Sequence, residues 1–129
     1  MWTRPASIAG AAVALRLQHV PPTPVVMSAD PTRAEIDASA GPVVVEFGTS
    51  WCGHCRAAQG PIAAALARHP AVRHLKVEDG PGRPLGRSFG VRLWPTLVFL
   101  RDGQEKARLV RPRDESPLAK ALEAIDPVG

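Results

Sequence analysis

Tyrosine is absent from this sequence, and only three tryptophans, three phenylalanines, two methionines and two cysteines occur in its 129 residues. Each shortage excludes something. With aromatics at 5% and no basic run that interleaves them, there is little to stack on nucleic-acid bases, so the net charge of +4 reads as a solvated basic surface. A single cysteine pair excludes a scaffold of several disulfides. A zinc site would have to recruit from His19, His54, His69 and His74, and none of these offers a second ligand pair at zinc-finger spacing, so no metal is expected. Covalent haem is excluded because Arg56 follows Cys55 where that attachment needs His. No apolar stretch approaches the ~18 residues of a membrane span, and no internal repeat is present.

What remains is a chain with 45% hydrophobic residues, long enough for one domain with its own core. Residues 1–24 read as an N-terminal extension, flexible or contributing an edge strand at Leu15–Val20, and broken from the rest by Pro21, Pro22 and Pro24. Residues 25–129 form the domain. Arg4 followed by Ala6 to Ala14, with Ala12-Val13-Ala14 as a small-residue cleavage pattern, is a faint copy of a secretory signal. Its apolar part is mostly Ala and Gly. A cytoplasmic location is therefore expected, with a periplasmic or secreted one as the alternative if the segment is cleaved.

Along the domain, Val25–Met27 is a candidate first strand, and Ser28 or Asp30 caps a short helix over residues 31–39. Val43–Phe47 is a near-continuous β-branched run, the pattern of a central strand covered on both faces. A helix follows through the cysteines to about His69, with Gly60-Pro61 disturbing its middle. Strands are expected at Val72–Val77 and Thr96–Leu100, with helical turns at Leu85–Phe89 between them. Asp102-Gly103 signals a hairpin to a strand over residues 105–110, and Ser116-Pro117 opens a last amphipathic helix. The fold class is α/β, a mixed sheet of four to five strands flanked by helices on both faces.

The most informative stretch is Glu46-Phe47-Gly48-Thr49-Ser50-Trp51-Cys52-Gly53-His54-Cys55. Two thiols separated by two residues can close a small disulfide ring with little backbone movement. At a helix start the nearer thiol faces unpaired N–H groups and the positive dipole end. Trp-Cys-Gly-His-Cys closely resembles the active-site motif of the thioredoxin-like family, in the Gly-His version of protein disulfide isomerases. The order of elements from Val25 to Ile125 is also that of the thioredoxin fold.

The resemblance implies that Cys52 is the exposed nucleophile and Cys55 the resolving thiol. Beside them it makes His54 a residue that tunes the Cys52 pKa toward a more oxidising disulfide, and Glu46 a buried proton acceptor. Burial alone predicts a raised Glu46 pKa, with His74 or Lys76 on the next strand as its partner. Trp94-Pro95-Thr96 resembles the family's cis-proline segment, which pairs with the substrate chain. Trp51, Gly53, Trp94, Pro95 and Arg111 would form the substrate surface. Two departures stand out: the helix proline, Pro61, lies one position late, and Arg111 falls where thioredoxins carry a Gly, adding bulk and charge against a broad substrate range.

The expected function is thiol-disulfide oxidoreductase. Such a protein acts as a monomer on protein disulfides or dithiols and is served by a thioredoxin reductase or another thiol donor. It has no cofactor beyond the Cys52–Cys55 pair, and neither nucleic acid nor membrane is a partner. The alternative is a binding module or assembly chaperone that grips a specific partner through Trp51, Trp94 and Pro95 with little redox turnover.

Overall fold

The structure, a computed structural model, describes residues 25–26 and 30–127. The possible strand at Leu15–Val20 and the possible signal segment lie outside them. Five strands form one mixed sheet: β1 (Val25–Val26), β2 (Pro42–Gly48), β3 (Arg73–Glu78), β4 (Thr96–Arg101) and β5 (Gln104–Val110), in spatial order β1-β3-β2-β4-β5. The first three are parallel to one another, β4 runs antiparallel to β2, and β5 turns back antiparallel to β4. The apolar run Val43–Phe47 is buried throughout because β2 lies at the centre, with strands on both edges and helices on both faces.

Alternation along β2 sorts the core into two layers. Val43, Val45 and Phe47 meet Ile36 of α1 (Arg33–Asp37) and Leu85 of α3 (Pro84–Ser88) on one face. On the other, Val44 packs with Ala58, Ile62 and Ala65 of α2 (Gly53–Leu66) and with Leu118, Leu122 and Ile125 of α4 (Glu115–Ile125). Glu46 shares the second face, so an acidic side chain points into an apolar layer beneath α2.

Several element ends shift by a few residues from the sequence expectation, and two of these shifts have a visible cause. The first helix is capped by Thr32, later than Asp30, because Thr32 and Glu35 form a reciprocal capping box while Asp30 binds Arg83 at 3.1 Å. The second helix ends at Leu66 rather than near His69: the N–H groups of Arg68 and His69 bond three residues back instead of four, and His69 turns in to meet Asp126 at 2.8 Å. The predicted hairpin is present. Asp102 and Gly103 both take positive φ, +51° and +79°, which matches the twist of the two strands. No helix among the described residues is long and apolar enough to cross a membrane.

Candidate active site at the start of the second helix

Strand β2 ends at Gly48, and a short turn through Thr49–Trp51 delivers Cys52 to the N-cap of α2 in an extended conformation, φ −81° and ψ 117°. A capping residue normally offers an oxygen to the orphan N–H groups of the first turn. Here the sulfur does so, accepting from the Cys55 N–H at 3.2 Å. Both cysteines are free thiols.

The expectation of an exposed Cys52 is corrected: its residue is 7% exposed and Cys55 6%, because the Trp94–Pro95 segment covers the first sulfur from above. What separates the two thiols is proton affinity. Burial acts to raise the Cys52 pKa, but hydrogen bonds from Cys55 and from the His54 amide, together with the charge of Arg111, bring it below the ordinary thiol value. For Cys55, burial and the adjacent Cys52 sulfur act in the same direction, and its thiol is pushed up to about 11. The His54 imidazole is exposed, so its contribution at this range is made by its backbone. Gly53 is exposed beside it.

Gly48 is dictated by the approach of the helix. A β-carbon there would stand 2.6 Å from the Cys55 sulfur, closer than side-chain atoms tolerate.

Beneath the pair, Glu46 is 4% exposed. Its hydrogen-bond partner on β3 is His74: His74 Nε2 lies 2.7 Å from Glu46 Oε1, while Lys76, paired opposite Glu46 in the sheet, is linked to it by hydrogen bonds only through Gln59. The Lys76 ammonium donates to Gln59 Oε1 at 2.6 Å, and Gln59 Nε2 donates to Glu46 Oε2 and to the Cys55 carbonyl, both at 2.8 Å. The expected rise in the Glu46 pKa is therefore overturned. Burial does push it up, but His74, Gln59 and Lys76 together hold the carboxyl below its ordinary range. A cavity of ≈ 350 Å³ opens beside this network, lined by Glu46, Thr49, Cys55, Gln59 and Lys76 among others.

Above the pair, the Trp94–Pro95 peptide is cis, as expected. The Trp94 carbonyl faces Cys52 Sγ at 3.8 Å and accepts from Arg111 Nε at 2.9 Å. Trp94 is half-buried and meets the 69% exposed Trp51 edge-on, with ring centroids 5.6 Å apart. Its indole N–H donates to Asp79 at 2.9 Å. All the residues expected from the motif thus converge on one end of the sheet. Gln59 and Asp79 were missed. Gln59 carried a signal, since it follows Cys55 by four positions and shares its helix face; Asp79 carried none. Among the described residues no group of three or more His, Cys, Asp or Glu is placed to hold a metal ion.

A sequence model of the family described as Thioredoxin matches residues 24–124. Among curated proteins, the chain is 40% identical over 86 residues to protein disulfide-isomerase A2 of Pongo abelii, an alignment that takes in 62% of this chain and 16% of that much longer protein. It is 36% identical over 85 residues to a thioredoxin of Chlamydia muridarum (strain MoPn / Nigg), covering 65% of this chain and 82% of that one. Among solved structures, thioredoxin 2 from Pseudomonas aeruginosa PAO1 in its reduced form superposes with a TM-score of 0.69 at 60% identity, over 77% of this chain and 92% of that one.

Proposed function

The chain belongs to the thioredoxin family, and from that premise we propose that it exchanges disulfides with protein substrates through Cys52 and Cys55. The observation that carries this reading is the division of proton affinity within one dithiol: one sulfur is held as a helix cap with a lowered pKa, the other is pushed up to about 11.

The Cys52 thiolate attacks one sulfur of a substrate disulfide, the substrate S–S bond breaks, and the far sulfur leaves as a thiolate that takes a proton from water. A mixed disulfide joins Cys52 to the substrate. Bonding Cys52 to the substrate removes the negative charge that had held the Cys55 proton. That proton passes to the ionised Glu46 through the adjoining cavity, and Cys55 attacks Cys52. The second substrate sulfur leaves, the Cys52–Cys55 disulfide closes, and two electrons have moved to the substrate. The pair is itself the redox centre, so no bound cofactor enters, and a dithiol donor or thioredoxin reductase restores the thiols. The same steps run in reverse with a dithiol substrate, and the motif shared with disulfide isomerases supports an oxidising direction.

Trapping tests the assignment. With Cys55→Ser, mixed disulfides to Cys52 should accumulate on a disulfide-containing protein such as insulin and run as higher-mass species without reductant. Accumulation in Cys52→Ser instead would reverse the roles.

A further inference from the structure

Arg111 holds an unusual position. Its φ is +53°, in the left-handed region that a side chain rarely occupies. Two bonds hold it there: its backbone N–H donates to the Pro95 carbonyl at 2.8 Å and its side-chain Nε to the Trp94 carbonyl at 2.9 Å. That second oxygen also faces Cys52 Sγ at 3.8 Å. Guanidinium and reacting sulfur touch one atom, so they stand within about 7 Å, the span of two residues of extended chain.

A guanidinium carries five N–H donors in a planar fork matched to a carboxylate. In Arg111 the Nε donor serves Trp94, and among the described residues no carboxylate lies within ion-pair distance of it. Arg92 and Arg113, exposed on the flanking loops, also form no ion pair among the described residues. Leu93 and Val110, each 48% exposed, line a cavity of ≈ 200 Å³ together with Arg92, giving a neighbouring chain apolar contact within a positive field. A neutral chain settling on the Trp94 carbonyl displaces the guanidinium and offers nothing in exchange. A chain with a carboxylate close to its reacting sulfur offers a charge-assisted, fork-like bond in its place.

We propose that Arg111 is a specificity-determining residue that selects disulfide substrates bearing an acidic side chain within two residues of the cysteine attacked by Cys52. The proposal rests on the oxidoreductase reading above and names the substrate class of that same site.

The test uses the reduced full chain and single-cysteine peptides dimerised through their disulfide, so that both sulfurs of each substrate are equivalent. Three peptides differ only in carrying Glu, Gln or Lys two residues from the cysteine. Single-turnover reduction, followed as released peptide thiol by chromatography, should be about fivefold faster for Glu than for Gln, the scale of an exposed charge pair, and slower still for Lys. The Glu preference should shrink toward unity in ~1 M salt. It should collapse in Arg111→Gln and survive in part in Arg111→Lys, which keeps the charge without the fork. Equal rates for Glu and Gln in the unmodified chain, or the same preference in Arg111→Gln, would overturn the proposal while leaving the oxidoreductase reading intact. Failure of the unmodified chain to reduce any of the three would overturn both. The peptide and salt series in the unmodified chain decides the matter even if a variant fails to fold.

Discussion

The Cys55 N–H donates to the Cys52 sulfur across 3.2 Å, so the second cysteine of the pair stabilises negative charge on the first. The same proximity works against Cys55, whose own ionisation would place a second negative charge beside the first. The two thiols therefore titrate as a pair.

Alkylation of the reduced protein with iodoacetamide across pH should expose that division. Cys52 should react with a midpoint below the ordinary thiol value, and Cys55 only as the pH nears about 11. In Cys52→Ala the midpoint of Cys55 should fall, because the hydrogen bond and charge of Cys52 are gone while burial remains. Peptide mass mapping assigns each site; one common midpoint for both thiols would contradict the geometry. Stability follows with a definite sign. A thiol whose folded pKa is raised favours the folded state below its unfolded value and loses that contribution as pH climbs toward about 11, so the reduced form should weaken in alkali.

Glu46 runs the other way. Its folded pKa lies below its ordinary value, so the unfolded chain binds the proton more readily, and the stability contributed by the carboxylate is present above about 4.5 and lost as pH falls through the lowered value. Glu46→Gln removes the charge that His74 and Gln59 face at 2.7 and 2.8 Å. Near neutral pH the cost should be about 1–3 kcal/mol, the scale of a hydrogen bond to a buried charge. Urea unfolding near pH 7 and again near pH 3.5 checks this: the gap between variant and parent should narrow in acid. An equal gap at both values would mean that the carboxylate charge plays no part.

The central strand, the position of Glu46 within it, the cis segment and the cysteine motif were legible because each is written in a few contiguous residues. Val43–Phe47 needs only its own apolar run to announce a covered strand, and the thiols need only their spacing. The partner of Glu46 was not legible in this way. His74 and Lys76 lie two apart on one strand and share a face, so alternation cannot choose between them; pairing even sets Lys76 opposite Glu46, and it is Gln59, taking the Lys76 ammonium while itself bonding Glu46, that leaves His74 as the direct partner. The direction of the Glu46 shift failed for the same reason, since burial can be read from sequence but the bonds that outweigh it cannot. Asp79 reaches Trp94 across fifteen positions of loop and helix, and no local pattern encodes that contact. The Thr32 capping box was local and readable; its Thr-x-x-Glu spacing outranks the isolated Asp30.

Gly48 joins the end of the central strand to the redox helix, and its role can be measured without assaying turnover. Adding a methyl group there places a carbon 2.6 Å from the Cys55 sulfur, so strand or helix must shift. Overpacking of this kind costs roughly 1–3 kcal/mol, and Gly48→Ala should lose about that much stability in urea unfolding of the reduced protein. The cost should belong to the sulfur rather than to backbone conformation, because Gly48 lies in a regular strand and has no positive φ. A double-mutant cycle separates these sources. In a Cys55→Ala background the sulfur is gone, and Gly48→Ala should cost less than half of what it does in the parent. If the penalty is undiminished, the glycine is required by the turn that follows it and not by the thiol it admits.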